Sequence, residues 1–164
     1  MQIFLIVIFC IITSCGFSPV YSQKDDNTEL AVKLASVDVK PIKSIIGQQY
    51  VNALVDALDP SGINQDKQYI LEANVTKSTV PLAIEKDRTI SRYKVVVSVE
   101  YKIKEIETDK YIANGSASSE ADYDKVVSDY ATYVSENDTM KRAIKELAQD
   151  TKVRVISDLL RVQP

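Results

Sequence analysis

The residue whose surroundings point most directly to a chemical reaction is Cys15. It follows an unbroken apolar run at residues 3–12 (IFLIVIFCII) and the small residues Thr13 and Ser14. A run of this length at an N-terminus is too short to span a bilayer and is typical of a secretory signal peptide. Small residues directly before a cysteine are the pattern that a lipoprotein signal peptidase recognises. The sequence therefore predicts cleavage before Cys15 and acylation of its thiol and its amine.

An ordinary signal peptide, in which Cys15 has no role, is the alternative interpretation, because no Lys or Arg precedes the apolar run. The lipoprotein interpretation divides the chain into a signal peptide (1–14), a lipidated polar tether (15–28) and one folded domain (29–164). No second long apolar run exists, so the membrane is reached through the lipid, and two or more acyl chains anchor a protein stably. Gly16 follows the cysteine where inner-membrane retention commonly uses Asp, which predicts sorting to the outer membrane.

Residue types that catalysis usually requires are scarce. Histidine is absent, and the only cysteines are Cys10, inside the signal peptide, and Cys15. The four glycines form no phosphate-binding loop. We therefore predict no catalytic residue, no metal site and no cofactor. The net charge of −3 likewise predicts no nucleic-acid partner.

Basic residues surround a predicted hairpin in the middle of the chain. Six cations oppose three acids there: Lys86, Arg88, Arg92, Lys94, Lys102 and Lys104 against Glu85, Asp87 and Glu100. An ordinary solvated sheet face explains this surplus, and so does a site for an anionic partner, since Lys and Arg pair with phosphate and carboxylate. The tyrosines at positions 93, 101, 111, 123, 130 and 133 have a similar ambiguity between core packing and interface use.

Hydrophobic periodicity predicts the elements that position these residues. Alternation over 30–39, with a phase slip at Ala35-Ser36, indicates a bulged first strand, and alternation over 69–84, 92–104 and 111–123 indicates three more. Helical spacing predicts one helix over 46–58, capped by Ser44, and a second over 140–160. Gly115 indicates a bulge or a close backbone approach. The expected fold is an α+β two-layer sandwich of order β-α-β-β-β-α, with a four-stranded, mostly antiparallel sheet and two amphipathic helices on one face.

Two stretches resemble the LptE family of lipopolysaccharide-assembly lipoproteins. One is the start Cys15-Gly16-Phe17, with Pro19 and Tyr21, and the other runs from Tyr130-Ala131-Thr132-Tyr133 through Glu146-Leu147-Ala148. The resemblance implies two helices packed on a four-stranded sheet, which matches the order of elements above. It also implies a non-enzymatic protein that sits in the LptD β-barrel of the outer membrane, binds lipopolysaccharide and is anchored on the periplasmic side.

The resemblance further implies where lipopolysaccharide binds. The family's basic position before the long middle strand falls on Lys86, with Arg88 beside it and Arg92 at the start of that strand. A second basic position of the family falls on Glu136, an acid, so the expected site is incomplete. The competing interpretation is an auxiliary periplasmic lipoprotein of an ABC-type lipid transporter.

Overall fold

The computed structural model describes residues 24–84 and 90–161. Along the chain the elements are α1 (Lys24–Ala35), β1 (Val37–Val39), α2 (Ile45–Leu58), β2 (Tyr69–Ile84), β3 (Ile90–Glu105), β4 (Tyr111–Asp124) and α3 (Asp129–Arg161). The four strands form one sheet in the order β1-β2-β3-β4. The predicted α+β class with a four-stranded sheet is therefore confirmed.

The sheet is mixed, where a mostly antiparallel one was expected. β2, β3 and β4 form an antiparallel meander, but β1 runs parallel to β2, with Val37 opposite Tyr69. The helix α2 connects β1 to β2 and returns the chain to the end of the sheet at which β1 begins. A strand-helix-strand crossover of this kind pairs its strands in parallel.

One face of the sheet is buried beneath α2 and α3, and we call it the covered face. The alternation predicted for β3 is confirmed there, since Val95, Val97 and Ile103 are each 0% exposed. Tyr50 and Leu54 of α2 and Leu147 of α3 are also 0% exposed. Burial of such side chains contributes roughly 1.5–3 kcal/mol each, so this layer supplies most of the stability.

The predicted first strand is wrong over its first half, because residues 30–34 lie in a third helix, α1. Leu30 and Leu34 are four residues apart and therefore share one helix face as readily as one strand face. Leu34 is buried and Leu30 packs against the core. The helix ends at Ala35, and the Oγ of the next residue, Ser36, donates to the carbonyl oxygen of Lys33 at 2.6 Å. The strand that follows is only Val37–Val39.

The predicted second element is confirmed, and the final helix starts earlier than expected. The Oγ of Ser44 accepts a hydrogen bond from the Gly47 amide at 3.1 Å, as an N-cap does. The final helix begins at Asp129, about three turns before the predicted Met140. Its first turn is held by Ser128, whose Oγ accepts from the Ala131 amide at 3.3 Å. Residues 129–138, which the sequence prediction left outside this helix, are therefore helical.

Buried hydrogen bonds fix α3 against its neighbours. The Tyr50 hydroxyl donates to Thr151 Oγ1 at 3.0 Å, and that hydroxyl donates to the Leu147 carbonyl at 2.8 Å. Burial raises the pKa of Tyr50 to about 12. The Tyr101 hydroxyl reaches from β3 to Asp158 at 2.8 Å, and burial again raises its pKa. These bonds set the register of α3 on the covered face.

Candidate binding surfaces

The face of β2, β3 and β4 turned away from the helices, here the open face, carries most of the predicted charged residues. Strand pairing arranges its side chains in rows, so that Thr76, Ser98 and Ser118 lie side by side. Apart from Val96 and Glu100, the middle of the open face consists of small polar side chains, namely Asn74, Thr76, Ser78, Ser98, Ser116 and Ser118. Most of its charged groups therefore lie at its two ends.

The cations at the hairpin end are paired with acids of β4. Arg92 Nε lies 2.7 Å from Asp124 Oδ1, and this hydrogen bond lowers the pKa of the Asp124 carboxyl. Lys94 Nζ lies 2.9 Å from Glu120 Oε2, and that bond raises the pKa of Lys94. Arg92 and Asp124 remain 53% and 61% exposed. Arg92 can therefore contact a further anion only while it shares its charge with Asp124.

The opposite end of the open face holds an aromatic residue between charges. Lys102 Nζ lies 5.6 Å from the centre of the Tyr111 ring, a cation–π distance. The Tyr111 hydroxyl donates to Glu72 Oε2 at 3.0 Å, a bond that raises the pKa of Tyr111. A shallow recess of about 330 Å³ is lined by Lys102, Tyr111, Ile112, Ala113 and Asn114. The sequence predicted these charges but not the recess, which forms where β4 begins.

Three of the four predicted site residues lie outside the described residues. These are Cys15, Lys86 and Arg88. Strand β2 ends at Ile84 and strand β3 begins at Ile90. Lys86 and Arg88 therefore lie between these two strands in the sequence. Arg92, the fourth, lies six positions after Lys86 in the chain, on β3. Binding of lipopolysaccharide by these residues stays a prediction.

Glu136, the acid at a position where the LptE resemblance implies a base, forms a contact inside the domain. Its Oε1 lies 2.5 Å from Lys77 Nζ of β2, and the two side chains are 31% and 24% exposed. Burial, followed by the charge of Glu136, raises the pKa of the nearby Tyr123. Glu136 therefore joins α3 to the sheet, and a base at this position would place two cations together.

The tyrosines divide between core and surface. Tyr101 and Tyr123 are buried on the covered face, where Tyr123 stacks on Tyr93 with ring centres 5.5 Å apart. Tyr130 and Tyr133, by contrast, are 78% and 63% exposed. Sequence reasoning missed two further exposed apolar residues that precede them: Val126 and Val127. Their only signal in the sequence was an apolar pair within a polar connection.

These surfaces can bind through ion pairs, hydrogen bonds and aromatic contacts. In the described part of the chain, no group of three or more His, Cys, Asp or Glu side chains is arranged to hold a metal ion. Over residues 24–84 and 90–161, no helix combines the length and the apolar character that crossing a membrane requires.

Comparison with known proteins places this geometry in a family. A relative from Rickettsia prowazekii (strain Madrid E), the uncharacterized protein RP188, is 28% identical over 159 residues, which cover 97% of this chain and 98% of the relative. A crystal structure of a protein assigned as a lipoprotein from Caulobacter crescentus CB15 is similar with a TM-score of 0.66 and 18% identity, over 83% of this chain and 98% of the other. The rare lipoprotein B from Shewanella oneidensis has a TM-score of 0.55 and 12% identity, over 76% and 93% of the two chains.

At those identities the two solved structures establish the fold alone. The family model described as LptE, lipopolysaccharide-assembly, matches residues 31–155. That range runs from within α1 to within α3 and includes all four strands. The chain therefore belongs to the LptE family, whose role is in lipopolysaccharide assembly.

Proposed function

We propose that this chain is an outer-membrane lipoprotein that partners an LptD-type β-barrel and helps insert lipopolysaccharide at the outer membrane. The observation that carries the proposal is the family match over residues 31–155. The open face supports it physically, because the side chains between its charged ends are mostly small and polar, with Glu100 among them. A polar surface of this kind suits the polar interior of an outer-membrane barrel.

The anchor we propose is lipid on Cys15, after removal of residues 1–14. Gly16, at the position that sorts lipoproteins, directs the protein to the outer membrane. The tether predicted over 15–28 would then join the lipid to the domain, and its last residues, 24–28, form the beginning of α1. The domain would sit on the periplasmic side of the membrane, within reach of the barrel.

The lipopolysaccharide contact we propose uses Lys86, Arg88 and Arg92. Phosphate groups bind Arg and Lys through charge-assisted hydrogen bonds. Arg92 is only half-buried, which leaves its guanidinium accessible beside the hairpin connection that carries the other two. Because Asp124 already pairs with Arg92, Lys86 and Arg88 would supply most of the attraction.

The role is assembly and not catalysis. The chain has no histidine, and its one cysteine after residue 14 would carry lipid, so the residues that most often activate a nucleophile are missing. The open face offers polar and charged groups that can bind a partner or a ligand. The protein would therefore act by holding its partner and its ligand in position.

Affinity purification of the lipidated chain from membranes of its own cell tests the proposal. A tag after Pro164 leaves the predicted anchor intact. We expect a large outer-membrane β-barrel to co-purify in near-equal amount. Recovery of an inner-membrane ATPase complex in its place would contradict the proposal and support an ABC-type lipid transporter. Solubilised membranes of a strain with the tag on an unrelated lipoprotein provide the control.

A further inference from the structure

The strand β4 forms one edge of the sheet along its whole length. Every residue pairing of β4 is with β3, from Tyr111 opposite Lys104 to Asp124 opposite Arg92. Among the described residues, no other strand lies beside its outer edge. An edge of this length presents unpaired backbone N–H and C=O groups, and such groups can pair with another polypeptide.

The other edge of the sheet is better protected than β4, whose one register shift lies at its start, between Tyr111 and Ala113. Beyond Leu71, the outer side of β2 carries an inward-pointing charge at Lys77, a proline at Pro81 and two register shifts near Ala83. These are the devices by which proteins prevent edge-to-edge pairing. Residues 111–124 contain no Lys, Arg or Pro. Their middle is small, with Gly115, Ala117 and three serines, so a second backbone can approach closely.

The charges of β4 indicate what kind of strand fits. Its second half carries Glu120, Asp122 and Asp124 on the open face, and the first and last keep 60% and 61% exposure beside their partners on β3. A second copy of β4 would add three more acids and no cation. Lys94 and Arg92 already pair with the first and last of these acids, so one negative charge remains, and an extended segment with Lys or Arg would balance it.

We propose that β4 pairs with an extended segment of the outer-membrane barrel partner, which adds a fifth strand to the sheet and places basic side chains opposite Glu120, Asp122 and Asp124. This inference rests on the proposed function, since it names the surface through which that partner is held. Main-chain hydrogen bonds along β4 supply the attachment, and the acids set the register.

Hydrogen–deuterium exchange on the free lipidated chain and on its complex with the co-purified barrel tests the pairing. In the free chain, the β4 amides that point away from β3 exchange quickly and the alternate ones slowly. In the complex, peptides covering 111–124 should be slowed by about tenfold or more at the outward amides. Peptides covering 72–82 of β2 provide the control, and their exchange should be unchanged.

A matched pair of double variants tests the edge. Ser116→Lys with Ser118→Lys adds lysines to the edge strand β4, and Gln149→Lys with Ser157→Lys adds the same charges to exposed positions of α3, away from the open face. We expect the β4 variant to recover about tenfold less barrel and the α3 variant to recover as much as the wild type. Circular dichroism reports whether each variant folds, and the exchange experiment on the wild type decides the matter if the β4 variant does not.

The outcomes are distinct. Barrel recovery without slowed exchange on 111–124 would overturn the pairing and leave the proposed function standing. Failure of the wild type to recover any barrel would overturn both. Slowed exchange in the free chain that rises with protein concentration would show a second copy on β4, and it would overturn the barrel as occupant.

Discussion

Substitution of Gly115 by alanine tests the packing between the sheet and its central tyrosine. A Cβ at this position would lie 2.5 Å from the hydroxyl oxygen of Tyr101 and 2.6 Å from its Cζ. The two residues are direct cross-strand partners, and Tyr101 is only 3% exposed. Its hydroxyl is also held by Asp158 at 2.8 Å. The ring therefore cannot move aside without a loss of packing and of a hydrogen bond.

The expected cost follows from those contacts. Overpacking in a core destabilises by about 1–3 kcal/mol. Moving the hydroxyl from Asp158 adds roughly 1.5 kcal/mol, the lower value for a bond to a charged group, because Asp158 is only partly buried. Replacing a glycine in a strand returns about 0.5–1 kcal/mol of backbone entropy. We expect the free energy of unfolding of Gly115→Ala to fall by about 1.5–4 kcal/mol.

Urea unfolding followed by circular dichroism measures this loss. Gly62→Ala is the control, because nothing lies within 4 Å of its Cβ and only the backbone φ of +64° opposes the change. It should cost about 1 kcal/mol. In a Tyr101→Leu background the ring is absent, and Gly115→Ala should become nearly neutral. An equal cost in both backgrounds would refute the clash with Tyr101 as its cause.

Three further predictions concern the anchor, the ligand and pH. Cys15→Ala should abolish incorporation of labelled palmitate, and a variant that is still labelled would refute lipidation. Charge reversal of Lys86 and Arg88 to Glu should weaken lipopolysaccharide binding about tenfold or more with an unchanged circular dichroism spectrum, while Lys145→Glu on α3 should not. Because the pKa of Tyr50 is raised from 10.0 to about 12 in the folded state, the stability it contributes is complete below pH 10 and is lost as pH rises through 12. Urea unfolding measured from about pH 9 to 12 should show that the free energy of unfolding falls less steeply with pH in Tyr50→Phe than in the wild type. The same dependence on pH in both proteins would contradict a contribution from Tyr50.

Sequence periodicity predicted the elements that have one buried face and one solvent-exposed face. The alternation in β3 and the seam of α3 from Met140 to Leu159 both follow from burial against a single layer. The α1 helix was not predicted, because the spacing of Leu30 and Leu34 fits both a helix and a strand. Packing against the rest of the domain determines which of the two forms. The parallel pairing of β1 depends on the path of α2 and not on the residues of β1.

The candidate surfaces were predictable from the sequence only where charged residues cluster along the chain. The basic hairpin was visible as a charge surplus, but the pairing of Arg92 with Asp124, which lies 32 residues later in the chain, required the register of β3 and β4. The edge at β4 had no signal of its own, because an edge is a property of strand order. Sequence shows that residues 111–124 lack Lys, Arg and Pro, and only the sheet shows why that matters.

The central claim is that the protein acts in lipopolysaccharide assembly at the outer membrane. Its most direct test is depletion of the chain from its own cell, followed by pulse-labelling of lipopolysaccharide and separation of the two membranes. We predict that newly made lipopolysaccharide accumulates in the inner membrane and that its arrival at the cell surface falls in step with the depleted chain. Undiminished arrival at the surface after depletion would contradict the account.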